Sequence, residues 1–340
     1  MKCHSEISKR FEKLWISIMT TVILINMTVK YNKYFFFFLL AMACILLPAC
    51  DRKIKKNHMV IGVSYQNLQN EFIINIQDAI RLEAKKRGVE LIELDAQGKA
   101  ENQISQVENF IAFGVDAIIL NPCDKEGSAP AVDIAVRENK PIVVVNSIVA
   151  NLQKANAFVG SEDAEAGRIA ASYILQLLNG KGNLAIMHGP NGHSAEVART
   201  EGILEVLKNY SGARIVLEQT ANWDRTQALA LMENWLSSSK HIDAVIAQND
   251  EMALGALTAI KAAGKQKSIK VIGIDAIQDA LKAVAKNELA GTVFQDAGRQ
   301  GTLALDIAIR IIQGKEIQHN NYIPFKLVTR QNLNQFIKKQ

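Results

Sequence analysis

The chain has 340 residues, which is enough for two compact domains of ordinary size. Hydrophobic residues make up 49% and charged residues 21%, a composition typical of a soluble globular protein. The formal net charge is +5, but most of it comes from the first fifty residues, and 51–340 carries 33 basic and 32 acidic residues. Because this larger part has no basic excess, we expect no nucleic-acid partner.

The N-terminal segment is interpreted as a signal or leader over 1–49 and a lipid-anchored tether over 50–57. Two lysines, an apolar run and small residues follow one another in KYNKYFFFFLLAMACILLPAC, which is the pattern of a secretory signal. The apolar run is too short to span a bilayer comfortably. The tetrapeptide that ends at Cys50 resembles a bacterial lipobox with an unusual proline at its second position. That resemblance implies that Cys50 is acylated and becomes the mature N-terminus.

The true start of the chain is a separate question, since a second apolar run, LWISIMTTVILINM, precedes the signal. Translation from Met27 would leave an ordinary lipoprotein leader. We favour that start, and the alternative to it is a membrane hairpin. For the lipobox, the alternatives are an ordinary signal peptide cut nearby and an uncleaved membrane anchor. Asp51 resembles an inner-membrane retention signal, so we expect a periplasmic protein anchored to the inner membrane through Cys50. Cys123 is then the one remaining cysteine, which excludes an intramolecular disulfide and a cysteine zinc site.

From residue 58 onward, short apolar runs alternate with helical patterns. MVIGVSYQN predicts a strand, and NEFIINIQDAIRLEAKKRG predicts a helix that ends at Gly88. Further predicted strands are VELIELDA, DAIILNP and PIVVVN, and a second series contains NAFVGS, NLAIMHG, ARIVLEQTA, DAVIAQN, IKVIGIDA and LAGTVFQD. This alternation predicts an α/β fold with two doubly wound parallel-sheet domains.

Polar residues gather where these predicted strands end. The strand ends carry amides, carboxylates, an arginine and a tryptophan, in the segments 64–70, 121–124, 146–147, 188–193, 222–225, 248–250 and 295–296 and at Asp95, Arg199 and Asp275. Ligands of open α/β sheets bind beyond the carboxyl ends of the strands, and two facing domains would share one cleft. Acceptors and donors mixed with an aromatic face suit a neutral ligand with many hydroxyl groups.

Four segments carry a resemblance to a known family, namely AQNDEMALGALTAIKAAGK, NWDR, VIGIDA and TVFQDAGRQG. They closely resemble the periplasmic sugar-binding proteins of ABC transporters of the ribose-binding type, which have the type I periplasmic binding protein, or LacI-like, fold. The resemblance covers residues 59 to about 330. IELDAQGKAENQISQVENFIAFGVDAIILNP and IPFKLVT look most like the members that bind myo-inositol.

The resemblance also implies a set of ligand-binding residues, which are Asn70, Phe72, Asn146, Arg199, Trp223, Asn249, Asp275 and Gln295. Arg199 is expected to clamp ring hydroxyls, and Trp223 is expected to stack on the ring. Two extra residues precede the segment that contains Asn70, and its second aromatic position is Ile73. The family's Asp-Arg or Asn-Arg pair reads Asn146-Ser147 here, so one cationic donor is missing.

The expected organisation is an N-terminal lobe of 58–160 plus 296–323 and a C-terminal lobe of 161–295 plus 324–340, joined by a three-strand hinge. The expected function is a substrate-binding lipoprotein of an ABC importer that binds a monosaccharide or cyclitol, myo-inositol or a ribose-like sugar. It would act as a monomer with a membrane permease and its ATPase. The alternative is a receptor subunit that senses a sugar or autoinducer and docks on a chemoreceptor or kinase. We expect no cofactor and no metal.

Other classes of protein find little support in the sequence. A LacI-type repressor needs a helix-turn-helix where FFFFLLAMACILLP stands. No G-x-G-x-x-G follows the first strand, HGPNGHS lacks a phosphate-loop ending, and nothing resembles an activated nucleophile, so we expect no enzyme. His188 and His193 lack partners at metal-ligand spacing and are interpreted as structural or idle.

Each candidate residue also has a structural interpretation. Asn249 and Asp275 could cap helices. Arg199 could be a solvated helix charge, Trp223 a core residue and Gln295 a hinge residue. Their joint placement at successive strand ends favours a binding site.

Overall fold

A computed structural model describes residues 58–337 of the chain. Met27, Cys50 and the tether lie outside this described part, as do the last three residues of the second lobe. Within 58–337, no helix combines the length and the apolar character that crossing a membrane requires. The described chain forms two six-stranded sheets with helices packed against them. The prediction of two α/β domains with mostly parallel sheets is confirmed.

The first sheet is built from the N-terminal part of the chain. Its elements are β1 (Val60–Tyr65), α1 (Glu71–Arg87), β2 (Glu90–Asp95), α2 (Ala100–Ala112), β3 (Ala117–Leu120), α3 (Ala129–Arg137), β4 (Ile142–Asn146) and β5 (Ala157–Gly160). Helix α1 begins at Asn70, whose Oδ1 accepts a hydrogen bond from the N–H of Phe72 at 2.9 Å, and ends at Gly88 with φ 65°. Strand β1 is buried along its whole length because both faces of the sheet are covered.

The second sheet is built from the following part of the chain. Its elements are α4 (Asp163–Leu177), β6 (Lys181–His188), α5 (Ser194–Leu207), β7 (Gly212–Thr220), α6 (Arg225–Ser237), β8 (Ala244–Ala247), α7 (Asp250–Ala262), β9 (Lys270–Asp275), α8 (Gln278–Ala285) and β10 (Gly291–Phe294). Strands β6 to β10 pair in parallel, so their carboxyl ends lie at one edge of the sheet.

The C-terminal elements return to each sheet in turn. They are α9 (Ala297–Ile312), β11 (Asn320–Tyr322), β12 (Lys326–Val328) and α10 (Asn334–Ile337). Helix α9 packs on α1 and on the first sheet, β11 pairs with β5 in parallel, and β12 pairs with β10 in antiparallel fashion. The chain therefore passes between the sheets three times, after β5, after β10 and after β11. The strand orders are β11-β5-β4-β3-β1-β2 and β12-β10-β9-β8-β6-β7.

We call the first sheet with α1–α3 and α9 the first lobe, and the second sheet with α4–α8 the second lobe. Strands β11 and β12 were not predicted from the sequence, because three residues are too few to show an alternating pattern. Their pairing depends on partners that are far away in the chain. A short 3-10 helix over Leu152–Lys154 also lies outside the predicted elements.

Candidate functional site

One small cavity at the strand ends, between the lobes, brings all eight predicted residues together. Its lining also includes Gln66, Ile73, His193 and Ala195. The first lobe contributes residues from the start of α1 and the end of β4, and the second lobe contributes residues that follow β6, β7, β8, β9 and β10. We call this the inner cavity. Its volume is about 30 Å³, roughly the volume that one molecule occupies in liquid water.

Three of the eight residues hold their backbone in a region that side-chain-bearing residues rarely adopt. The φ angles are 69° at Asn146, 60° at Trp223 and 127° at Asp275. Each such conformation costs on the order of 1–3 kcal/mol and persists only where the surrounding structure imposes it. Strain of this kind concentrates at functional sites, and here it lies at the ends of β4 and β9 and in the loop after β7.

Arg199 lies on α5 and is 4% exposed, so it is not a solvated helix charge. Its Nε donates a hydrogen bond to Oδ1 of Asp163 at 2.9 Å, and its Nη1 donates to the backbone oxygen of Gln248. The guanidinium carbon lies 5.6 Å from the centroid of the Trp223 ring. These contacts fix the guanidinium in place and satisfy most of its positive charge within the protein.

Gln295 presents a buried donor to the inner cavity. Its Oε1 accepts a hydrogen bond from Nη2 of Arg199 at 3.3 Å, which turns its Nε2 away from the arginine. That Nε2 is buried and has no hydrogen-bond partner among the described residues. An unpaired buried donor costs about 1–3 kcal/mol, so the arrangement favours an acceptor supplied from outside the protein.

Asn249 both caps a helix and lines the cavity. Its Oδ1 accepts a hydrogen bond from the N–H of Met252 at 2.9 Å, and its Nδ2 donates to the backbone oxygen of Trp223 at 3.4 Å. The capping interpretation is therefore correct for Asn249 but incomplete. For Asp275 it is wrong, because α8 begins after Ile277 and has no side-chain capping hydrogen bond.

Asp275 supplies a buried carboxylate whose pKa is raised to about 7. Burial is the main cause, and the positive charge of Arg199 opposes it. The neighbouring Asp250 is also buried, and burial raises its pKa as well, but its carboxylate accepts hydrogen bonds from Thr292 Oγ1 at 2.7 Å and from Ile277 N–H at 3.0 Å. Of the two acids, Asp275 is the one that lines the cavity, and hydroxyl donors would stabilise its ionised form.

His193 and Gln66 were not predicted as site residues, and both line the inner cavity. His193 caps α5, because its Nδ1 accepts a hydrogen bond from the N–H of Ala195 at 3.2 Å. The proton of the ring therefore belongs on Nε2, which donates to Gln66 Oε1 at 2.8 Å and lies 3.3 Å from Ser147 Oγ. Burial, with a smaller effect of Arg199, lowers the pKa of His193 to about 3.

Of the two interpretations given for His193, structural or idle, the structural one describes its capping role, and the sequence did not indicate that it also lines the inner cavity. Its position directly after β6 and the small Ser147 opposite it were the available signals. His188 stays outside the cavity, with Nδ1 at 3.1 Å from both Glu196 Oε1 and Thr200 Oγ1. Among residues 58–337, no group of three or more histidine, cysteine or acidic side chains is arranged to hold a metal ion. Cys123 is a buried free cysteine.

Comparisons with known proteins agree with this architecture. The family model described as a periplasmic binding protein domain matches residues 61–316. A protein of Rhizobium meliloti whose name assigns it to rhizopine binding is 42% identical over 81% of this chain and 92% of its own length. The ribose import binding protein of Bacillus subtilis is 38% identical over 81% of this chain and 88% of its own length.

A comparison with a solved structure agrees with these sequence matches. An ABC transporter solute-binding protein from Bacillus halodurans, crystallised with bound myo-inositol, is 42% identical, has a TM-score of 0.81 and covers 83% of this chain and 98% of its own. The chain therefore belongs to the periplasmic binding protein family with the type I fold, among the sugar- and cyclitol-binding proteins of ABC transporters.

Proposed function

We propose that this protein is the substrate-binding component of an ABC importer, which holds a monosaccharide or cyclitol between its lobes and delivers it to a membrane permease. The observation that carries the proposal is the convergence of eight residues from both lobes on one buried cavity at the strand ends. The relatives support the same class of ligand, since one is a ribose import binding protein and another was crystallised with bound myo-inositol.

A neutral hydroxylated ligand fits the chemistry of the inner cavity. The Nε2 of Gln295 needs an acceptor, and the ionised carboxylate of Asp275, which burial disfavours, would be stabilised by donors. A hydroxyl group supplies both roles with one oxygen atom. The indole of Trp223 offers an apolar face to the C–H groups of a ring. The pattern therefore favours a cyclic polyol over an apolar ligand.

An anionic ligand fits the site less well. Asp163 and the carbonyl of Gln248 already hold the guanidinium of Arg199. His193 is neutral at physiological pH because its pKa is low, and Ser147 stands where relatives of the family carry an arginine. The cavity thus has one compensated cation and one acid with a raised pKa, which is a poor environment for a phosphate or carboxylate.

Binding requires movement of the lobes. The inner cavity is smaller than a six-membered ring, so the lobes must separate to admit the ligand and then close on it. We propose that 58–160 with 296–323 and 161–295 with 324–340 move as bodies about the crossings near Ser161, Gln295 and Pro324. The ligand favours the closed arrangement through contacts that exist only there, and the permease recognises that shape.

Attachment to the membrane is a separate part of the proposal. Acylation of Cys50 would hold the protein at the periplasmic face of the inner membrane, because two or more acyl chains give stable anchoring. Labelling with radioactive palmitate should mark the wild type and should be lost in Cys50→Ala. Labelling that persists in Cys50→Ala would overturn the lipid anchor without affecting the binding proposal.

Isothermal titration calorimetry of the purified protein tests the binding proposal. The panel is myo-inositol, D-ribose, D-galactose, D-xylose and D-glucose, with glucose 6-phosphate as the anionic comparison. We expect single-site binding of at least one neutral member and no binding of the phosphate ester. Absence of heat from every neutral member, or preference for the phosphate ester, would contradict the proposal.

A further inference from the structure

A second and much larger cavity adjoins the inner cavity. Its volume is about 550 Å³. Four residues line both cavities, which are Gln66, Asn70, His193 and Trp223. We call the larger space the outer chamber. Its own lining includes Asn67 and Gln69 from the first lobe and Asn222, Arg225, Gln227 and Glu251 from the second lobe. Both lobes therefore contribute to it, as they do to the inner cavity.

Amide side chains recur in the lining of the outer chamber, and among the described residues that line it there is no unpaired cation. Arg225 is its basic residue, and Nε of that arginine donates to Glu251 Oε2 at 2.6 Å while its Nη1 lies 3.4 Å from Asp279 Oδ2. Asn222 Nδ2 donates to Gln227 Oε1 at 2.8 Å. Amides that both donate and accept, together with a neutralised arginine, suit a hydroxylated group and offer little to a phosphate.

An aromatic ring and one hydrogen bond form the boundary between the two cavities. The Trp223 ring packs against Gly189, where a Cβ atom would overlap it, and meets the His193 ring edge to face with centroids 5.5 Å apart. The second part of the boundary is the hydrogen bond from His193 Nε2 to Gln66 Oε1. An ether or glycosidic oxygen at this point could accept the same proton, which keeps His193 Nε2 paired and leaves Gln66 Oε1 to accept from a hydroxyl of the substituent.

The positions of the polar side chains determine how a bound ring is oriented relative to the two cavities. Asp275 and Gln295 line the inner cavity and not the outer chamber. A ring held by these two residues would need more room than the inner cavity has. Two larger spaces adjoin that cavity: the outer chamber, and a space of about 490 Å³ that Asp275 and Gln295 themselves line. Because these two residues form the boundary on the second side, a substituent on the far edge of the ring has room in the outer chamber. The edge of the ring opposite Asp275 therefore faces the chamber.

From this arrangement we infer that the protein binds O-substituted polyols, namely a glycoside or ether whose ring is held at Asp275 and Gln295 in an inner cavity widened by lobe movement, and whose substituent occupies the outer chamber. This inference rests on the proposed function and specifies its substrate class. The bare ring is the part that Asp275 and Gln295 recognise, and the substituent adds contacts with amides of both lobes.

Calorimetry with matched pairs of ligands tests the inference on the purified protein. The pairs are myo-inositol with galactosyl-myo-inositol and D-ribose with methyl β-D-ribofuranoside. For whichever bare ring binds, we expect the Kd of its substituted partner to be no more than about three times the Kd of the bare ring. The variant Gln69→Trp, which fills the chamber from an exposed position, should weaken the substituted ligand at least tenfold and the bare ring less than threefold.

Gln176→Trp is the matched control, because Gln176 is an exposed residue of α4 outside both cavities, and it should change neither affinity. Rejection of both substituted ligands while a bare ring binds would overturn the inference and leave the proposed function intact. The inference would also be overturned if Gln69→Trp left the affinity for the substituted ligand unchanged. Absence of binding by every neutral sugar of the panel above and by both derivatives would instead count against the proposed function.

Discussion

His193 Nε2 of the second lobe donates a hydrogen bond to Gln66 Oε1 of the first lobe at 2.8 Å. Gln66 precedes α1 and His193 is the capping residue of α5, so the bond joins the loops that follow the first strand of each sheet. The backbone N–H of Lys125 donates to the oxygen of Gly192 at 3.1 Å in the same region. The two lobes therefore meet through polar contacts at the mouth of the site.

The first prediction concerns the protonation state of His193. Because burial lowers its pKa to about 3, the ring should stay neutral from pH 8 down to pH 5, with the proton on Nε2. Nitrogen-15 NMR of labelled protein should show one histidine with constant ring shifts over this range, and that signal should disappear in His193→Asn. If the signal that disappears in His193→Asn instead titrates near pH 6.5 in the wild type, His193 is not buried between the lobes.

The second prediction concerns the pH dependence of binding. Ligand hydroxyls favour the ionised form of Asp275, whose pKa is about 7, so binding should release a proton. Affinity should be constant above about pH 8 and should fall by up to about tenfold per unit as the pH drops below 7. Calorimetry at several pH values measures this, and Asp275→Asn should remove the dependence. A flat profile in the wild type would contradict the role of Asp275.

The third prediction concerns stability. The unfolded Asp275 carboxyl ionises near pH 3.8, so between that value and about 7 the folded protein holds a proton that the unfolded chain has lost. The contribution of this group to stability is therefore present at low pH and is lost as the pH rises through the window. At pH 8, Asp275→Asn should raise the free energy of unfolding by about 1 kcal/mol or more, since it removes a buried charge.

Urea unfolding of the wild type and Asp275→Asn at pH 8 and pH 4 checks whether the substitution raises the free energy of unfolding. The advantage of Asp275→Asn should shrink at pH 4, where the folded wild type holds the proton and therefore carries no buried charge at Asp275. Asp296→Asn is the comparison variant, because Asp296 caps α9 and asparagine caps a helix about as well, so its stability should change little at either pH. If Asp275→Asn is less stable than the wild type at pH 8, then hydrogen bonds or charges of the protein itself stabilise the buried carboxylate, and the prediction is wrong.

The fourth prediction concerns contact between the lobes at Gly192. Its φ is 87°, and a Cβ atom there would overlap the carboxylate of Asp124 in the first lobe. Gly192→Ala should therefore hinder closure and weaken ligand binding by about tenfold. Gly264→Ala is the matched control, because its φ is 66° and no atom lies within 4 Å of the added Cβ. Both variants carry backbone strain, but only Gly192→Ala should lose affinity.

Much of the architecture follows from the sequence, because its signals are local. The strand MVIGVSYQN and the helix that ends at Gly88 appear as β1 and α1. The positions that matched the family pattern all line the inner cavity, since strand ends converge once the sheets form. Strands β11 and β12 were missed because each has three residues and depends on partners far away in the chain.

The role of His193 was missed for a related reason. A single histidine in a loop carries no periodic signal, and its partners, Gln66 and Ser147, are distant in the sequence. For Asn249 the sequence offered both capping and a place in the site, and it could not show that the residue caps α7 and lines the inner cavity at once, because both call for the same amide at the same position. The outer chamber depends on the space between side chains of both lobes, which no local pattern reports.

The central claim is that both lobes hold one neutral polyol, and titration of one variant from each lobe tests it most directly. The measurement is calorimetry of the wild type, Asn70→Ala and Asp275→Ala with whichever polyol the wild type binds. We expect Asp275→Ala to lose about 2 kcal/mol or more of binding free energy and Asn70→Ala to lose about 1 kcal/mol, because each removes a partner of a buried hydroxyl. Wild-type affinity in both variants would contradict the claim, because the polyol would then bind elsewhere.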